Sequence, residues 1–91
     1  MEKIVLDFSY CKTYMDFHGI LKEAFSFPDY YGENLDALWD CLCDSLEPNT
    51  IVEIKGFNSL PAEFKKYLPD VIEVFSDVTK AVPNTKFNII S

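Results

Sequence analysis

Short apolar runs occur at three places along this chain and predict three β-strands. Residues 2–8 (EKIVLDF), residues 51–54 (IVEI) and residues 86–90 (KFNII) are rich in β-branched and aromatic side chains and fit buried strands. Pro83 and Asn84 form a turn signal just before the third run. The chain is therefore expected to contain one small sheet.

Between these runs the apolar residues recur at every third or fourth position, which predicts helices. Thr13 and Asp16 resemble a capping box at the start of the first helix, and Asn34 is a good N-cap for the second. Pro28 stops the first helix, and Gly32 supplies a flexible turn position before the second. The predicted helices cover residues 13–25, residues 35–46, residues 61–67 and a longer segment that Asp70 caps.

The order of these elements predicts the fold class. It reads strand, two helices, strand, two helices, strand (β-α-α-β-α-α-β). Helical connections favour parallel strands, and the preference for right-handed crossovers limits the topology further. The prediction is a single α/β domain over residues 1–91, in which four helices pack against a three-stranded parallel sheet. A chain of 91 residues is long enough for one core but not for two.

The acidic composition restricts the kind of partner. The chain has 15 Asp and Glu residues against 8 Lys and Arg residues, which gives a net charge of −7. A nucleic-acid-binding protein normally has the opposite balance or a local basic patch, so direct binding of nucleic acid is not expected. The charge favours a basic partner, although solubility alone would also account for it.

The sequence favours a cytoplasmic protein that does not enter a membrane. No apolar run approaches the ~20 residues that a membrane-spanning helix requires. The first eight residues are typical of a strand and lack the long apolar stretch of a secretion signal. Cys11, Cys41 and Cys43 are an odd number of cysteines without the spacing of a disulfide framework, so reduced thiols are expected.

The second predicted helix carries an unusual row of charges. Asp36, Asp40 and Asp44 follow one another one turn apart along one face. Like charges at this spacing repel by a few tenths of a kcal/mol per pair, and no Lys or Arg at i+3 or i+4 neutralises them. The stability of the helix therefore does not explain the row. The apolar residues of the same helix fall on a different side and are Leu35, Leu38, Trp39, Leu42 and Leu46.

Three interpretations of this row are open. A solvated helix face is the ordinary explanation. Tyr30, Tyr31 and Trp39 nearby favour a protein-binding surface, because tyrosine and tryptophan are typical interface anchors. Paired carboxylates can also act as acid and base or bind a divalent metal, but no D-x-D-x-D loop, histidine pair, glycine-rich phosphate loop or G-x-S-x-G motif accompanies them. His18, without an evident partner, is expected to be structural, and we expect no enzyme activity, cofactor or metal site.

The segment FPDYYGENLDALWDCL, residues 27–42, resembles the signature of the barstar family, the intracellular inhibitors of the bacterial ribonuclease barnase. Outside it the likeness extends to the chain length, the order of elements, the VFSD segment at residues 74–77 and the ending IIS. The resemblance implies a barstar-like fold and a cytoplasmic inhibitor that binds a secreted ribonuclease one to one. In such an inhibitor, carboxylates occupy the places where RNA phosphates would bind.

The resemblance also implies roles for individual residues. Asp40 would be the central phosphate mimic, Asp36 would pair with a guanidinium group, and Tyr30 would pack on the catalytic histidine. Asp77 aligns with a family glutamate that meets an arginine. The implied partner-binding residues are Tyr30, Tyr31, Gly32, Asn34, Leu35, Asp36, Trp39, Asp40, Asp44 and Asp77.

Two positions depart from the family pattern. Asp44 stands where the family has a glycine, and Ser45 stands where it has a second tryptophan. These departures suggest either a cognate ribonuclease that differs from barnase or weaker binding to barnase itself. One alternative function stays open, which is an acidic adaptor module that binds a basic protein other than a nuclease.

Overall fold

Three parallel strands form one sheet in the computed structural model, which describes residues 2–90. The strands are β1 (Glu2–Asp7), β2 (Thr50–Lys55) and β3 (Lys86–Ile89), and they lie side by side in the order β1-β2-β3. In the register of the sheet, Leu6 pairs with Ile54, and Ile54 pairs with Ile89. The predicted three-stranded parallel sheet is confirmed.

One face of the sheet is buried in the hydrophobic core. Leu6 of β1 and Val52 and Ile54 of β2 are fully buried on this face, as the alternation of side chains along a strand requires. The neighbouring positions point the other way, where Lys3 and Glu53 form an ion pair of 3.0 Å. The helices therefore pack against the buried face of the sheet.

Within residues 2–90 three α-helices cover this face, and not four as predicted. They are α1 (Tyr14–Phe25), α2 (Leu35–Ser45) and α3 (Leu68–Ala81). The helix predicted over residues 61–67 is a 3₁₀-helix at Ala62–Lys66, and a second short 3₁₀-helix covers Phe57–Ser59.

The short segment lacks what a stable α-helix needs. The backbone N–H of Phe64 donates to the carbonyl of Pro61, and that of Tyr67 donates to the carbonyl of Phe64, both over 2.9 Å. These are i→i+3 bonds, which favour short pieces over extended helices. Phe64 is the only residue of Ala62–Lys66 that is buried, so the segment is held by one side chain and has no apolar stripe.

The start of α3 also differs from the prediction. Asp70 does not cap this helix, because α3 already begins at Leu68 and Tyr67 takes the cap position. Pro69 lies in the first turn, where its missing N–H costs nothing. Asp70 is in the first turn as well, where a carboxylate complements the helix dipole.

The predicted capping box of α1 is present. The N–H of Asp16 donates to Oγ1 of Thr13 over 3.1 Å, and the N–H of Thr13 donates to Oδ2 of Asp16 over 3.2 Å. The hydrogen bond from the backbone of Lys12, together with that from Thr13, lowers the pKa of Asp16. The helix ends at Ser26, which has left-handed backbone geometry (φ 56°).

Among the described residues, no helix is long and apolar enough to cross a membrane.

Candidate functional site

Asn34 sets the start of α2, as predicted. Its backbone is extended (φ −138°, ψ 172°), and its Oδ1 accepts a hydrogen bond of 2.8 Å from the N–H of Ala37. Its Nδ2 donates to the carbonyl of Gly32 over 3.2 Å, which ties the preceding loop to the helix. One side chain therefore both caps α2 and joins its first turn to the preceding loop.

The exposed face of α2 carries a row of carboxylates that no ion pair between described residues neutralises. Asp36, Asp40 and Asp44, which we call the acidic ridge, are all exposed, while Leu38 and Leu42 on the other side are fully buried. The ion pairs between described residues are Lys3–Glu53, Lys22–Asp29 and Lys80–Asp77. No cation within residues 2–90 thus pairs with the acidic ridge, and its charge is available to a partner.

Two aromatic side chains near the acidic ridge are exposed. Tyr30, in the loop before α2, is 86% exposed, and Trp39, within α2, is 41% exposed. Large aromatic side chains are usually more buried than this in a folded domain, and exposed ones favour a binding surface. Leu35, at the first position of α2, is half-buried.

Tyr31 does not belong to this exposed surface. It is 6% exposed, and its ring packs against Phe27 with 4.9 Å between the ring centroids. Its hydroxyl lies 2.6 Å from Nδ1 of His18. The interpretation of Tyr31 as an interface anchor is corrected accordingly, because in this structure the side chain is part of the core beneath the surface.

The turn before α2 is built one residue later than predicted. Gly32 has no left-handed backbone, whereas Glu33 does (φ 52°). A Cβ added at Gly32 would lie 3.2 Å from Nδ2 of Asn34 and 3.5 Å from Cβ of Ala37. Glycine at this position therefore leaves room for the N-cap, and its role is steric rather than conformational.

Asp77 lies on α3, which packs against α2. Its side chain is half-exposed, and its Oδ1 is 3.9 Å from Nζ of Lys80 on the same helix. Such an exposed pair at i,i+3 is worth only about 0–1 kcal/mol, so Asp77 is free to exchange this contact for another.

His18 is the residue that sequence analysis underestimated. It is 2% exposed, and both of its ring nitrogens are engaged, Nδ1 with the hydroxyl of Tyr31 and Nε2 with the hydroxyl of Tyr67. The expected structural role of His18 agrees with this burial, and the two tyrosines are the partners that were not evident from the sequence. Because Tyr67 is 49 residues away in sequence, only the folded chain brings this pair together.

The cysteines do not supply a reactive centre. All three are free, with Cys11 buried and Cys41 and Cys43 half-buried. Burial raises the pKa of each thiol, and in Cys41 and Cys43 the charges of Asp40 and Asp44 raise it further. A thiol with a raised pKa is a poor nucleophile at neutral pH. Within residues 2–90, no group of three His, Cys, Asp or Glu side chains is placed to hold a metal ion.

Comparison with known proteins shows the family of this chain. The family model described as "Barstar (barnase inhibitor)" matches residues 1–90. A protein of Bacillus subtilis (strain 168) named "Putative ribonuclease inhibitor YrdF" is 36% identical over 90 residues, which covers 99% of this chain and 98% of that protein. The family consists of inhibitors and not of enzymes. The chain belongs to the barstar family.

Proposed function

We propose that this protein is an inhibitor of a barnase-type secreted ribonuclease, which it binds one to one in the cytoplasm of a bacterial cell. The observation that carries the proposal is the acidic ridge, three exposed carboxylates at helical spacing that no cation of residues 2–90 neutralises. Membership of the barstar family supports the assignment of a ribonuclease as the partner.

The chemistry of RNA cleavage makes the acidic ridge complementary to such an enzyme. A ribonuclease has to hold an anionic RNA backbone, so its active-site cleft is cationic. Carboxylates spaced along one helix face imitate successive phosphates, and they are held there by the backbone of α2 and by the Asn34 cap. Opposite charges across an interface accelerate association and restrict binding to partners with the matching pattern.

We assign the central role to Asp40, in the middle of the acidic ridge, with Asp36 and Asp44 on either side. Tyr30 and Trp39 supply aromatic contact area next to the charges. Asp77 extends the negative surface from α3. Gly32, Asn34 and Leu35 shape the entry to α2, and Tyr31 supports the loop from within.

The test is an RNA cleavage assay with purified proteins. Equimolar addition of this protein to a barnase-type ribonuclease is expected to abolish cleavage. Because Asp44 and Ser45 depart from the family pattern, several ribonucleases of this class have to be compared, and inhibition is expected to differ between them. Undiminished cleavage by every one of them would contradict the proposal, and stable binding to a basic protein without any effect on cleavage would support an acidic adaptor instead.

A further inference from the structure

His18 joins three segments of the chain through its two ring nitrogens. Nδ1 lies 2.6 Å from the hydroxyl of Tyr31, and Nε2 lies 2.7 Å from the hydroxyl of Tyr67. His18 belongs to α1, Tyr31 to the loop before α2, and Tyr67 to the cap position of α3. We call these three side chains the histidine bridge.

The histidine bridge is complete only when the imidazole ring is neutral. A neutral ring has one N–H and one lone pair, so one tyrosine hydroxyl donates to it and the other accepts from it. A protonated ring has two N–H donors and no acceptor, so the hydroxyl that donates to the neutral ring would lose its acceptor. Such a loss is costly here, because His18 and Tyr31 are both buried. Burial lowers the pKa of His18 and favours the neutral ring, while the carboxylate of Glu33 acts in the opposite direction.

The two tyrosines stand at the beginning of the segments that carry the proposed surface. Tyr31 is turned into the core, and its neighbour Tyr30 is 86% exposed. Three residues after Tyr31, Asn34 caps α2 and its acidic ridge. Tyr67 immediately precedes α3, which packs against α2 and carries Asp77. A single buried ring thus links α1 to both segments.

We propose that His18 is a positioning residue, which holds the loop before α2 in the orientation that presents Tyr30 together with the acidic ridge. This inference rests on the proposed function, since the surface that His18 positions is the one assigned to the ribonuclease. Side chains that recognise a partner have to be held to within about 0.5 Å, and hydrogen bonds behind the surface provide this restraint. Without the histidine bridge, every contact residue is still present, but the loop samples several orientations and affinity falls.

Four variants separate positioning from stability. His18→Leu and Tyr31→Phe break the histidine bridge but keep the buried space filled. His18→Gln retains one donor and one acceptor and serves as the conservative rescue. Val82→Ala truncates a core residue at the opposite end of α3 from Tyr67, so it lowers stability without touching the histidine bridge.

Affinity for a ribonuclease that the unaltered protein inhibits is the first readout, measured by titrating RNA cleavage under conditions in which urea melts show each variant folded. His18→Leu and Tyr31→Phe are expected to weaken binding about tenfold or more, and His18→Gln less than about threefold. Val82→Ala is expected to bind as tightly as the unaltered protein. Equal weakening by Val82→Ala, or no weakening by His18→Leu and Tyr31→Phe, would overturn the inference.

Amide hydrogen exchange of the free proteins tests the histidine bridge without any ribonuclease. His18→Leu and Tyr31→Phe are expected to accelerate exchange at residues 27–36, His18→Gln to keep most of the protection that His18→Leu loses there, and Val82→Ala to leave those amides unchanged. Unaltered exchange at residues 27–36 in Tyr31→Phe would refute the inference even if the protein inhibits a ribonuclease. Failure of the unaltered protein to inhibit would instead refute the proposed function, whatever the exchange data show.

Discussion

Helices α2 and α3 pack against each other and each buries an apolar stripe, yet their exposed charges are placed differently with respect to the helix dipole. In α3, Asp70 lies in the first turn and Lys80 in the last, which is the arrangement that the helix dipole favours. In α2, Asp36 lies in the first turn, but the last turn has no basic residue and contains Asp44 instead.

The difference indicates what each set of charges is for. Asp77 of α3 has a cation within reach, Lys80, whereas no cation of residues 2–90 pairs with the acidic ridge of α2. Asp70 and Lys80 complement the dipole of α3, while Asp40 and Asp44 of α2 repel each other and Asp44 opposes the dipole of its helix. An external cationic surface explains such an arrangement better than the folding of the domain does.

The largest effect is expected from Asp40→Ala, which removes the centre of the acidic ridge. Deleting one partner of a close, desolvated charge pair costs about 2–5 kcal/mol, or roughly thirty-fold to several thousand-fold in affinity. Titration of ribonuclease activity with the variant measures this loss directly.

The matched control is Glu63→Ala, which removes an exposed acid from the 3₁₀-helix Ala62–Lys66. This variant lowers the negative charge by the same amount and is expected to change the affinity by less than about threefold, because a solvent-exposed charge outside the proposed surface contributes little. Similar losses of affinity in Asp40→Ala and Glu63→Ala would show that only the net charge of the protein matters and that α2 is not a specific binding surface.

The next effect concerns the two helix caps. Asn34→Ala and Thr13→Ala each remove an N-cap hydrogen bond, and each is expected to cost about 1 kcal/mol of unfolding free energy. Only Asn34→Ala is expected to weaken ribonuclease binding as well, because it loosens the end of α2 that carries Asp36. Urea denaturation and inhibition assays on both variants check this. Equal inhibition by the two variants would show that the Asn34 cap does not contribute to ribonuclease binding.

A third prediction concerns the pH dependence of folding stability, to which His18 contributes. The histidine of an unfolded chain takes up a proton near its ordinary pKa of 6.5, whereas burial lowers the pKa of the folded His18. The unfolded state therefore binds more protons below pH 6.5, and stability falls as the pH drops from there towards the folded pKa. The titratable groups that line the depression beside His18 are Tyr14, Glu33, Asp36 and Tyr67.

Urea midpoints between neutral pH and pH 5 are expected to fall more steeply for the unaltered protein than for His18→Gln. Hydrogen bonds from Ser9 lower the pKa of Asp7, and hydrogen bonds from the backbone of Lys12 and Thr13 lower the pKa of Asp16. Their contributions are therefore lost only around and below pH 3.8, outside this window. Parallel curves for the two proteins would contradict the assignment of a neutral, buried His18.

The smallest effect is expected from Asp44→Asn. The substitution relieves repulsion from Asp40 and removes a negative charge near the negative end of α2, so it should raise the unfolding free energy by a few tenths of a kcal/mol. The reverse experiment on α3, Lys80→Gln, should lower it by a similar amount. Thermal melts of the two variants measure both changes. A loss of stability in Asp44→Asn would mean that Asp44 stabilises α2, as Lys80 is expected to stabilise α3.

The features that sequence analysis predicted correctly are those that depend on nearby residues. The three strands, the cap at Asn34, the capping box at Thr13 and the exposed row of aspartates all follow from periodicity and local hydrogen bonding. The single parallel sheet follows from the order of elements, because helical crossovers favour parallel pairing.

The features that sequence analysis missed depend on residues far apart in the chain. Tyr31 is buried in the core with its hydroxyl hydrogen-bonded to His18, and the second partner of His18, Tyr67, is 49 residues away. The segment at residues 61–67 forms a 3₁₀-helix because a single side chain, Phe64, anchors it. The paired tyrosines at positions 30 and 31 look alike in sequence, and only the tertiary structure shows that one is exposed and the other is buried.

The most direct test of the central claim is competition with a nucleic acid. If the acidic ridge occupies the phosphate sites of a ribonuclease, the protein and an uncleavable deoxyoligonucleotide cannot bind the enzyme at the same time. Fluorescence anisotropy of a labelled deoxyoligonucleotide on the ribonuclease should fall to the value of the free oligonucleotide when one equivalent of this protein is added. A persistent ternary complex, with the oligonucleotide still bound at saturating protein, would contradict the account.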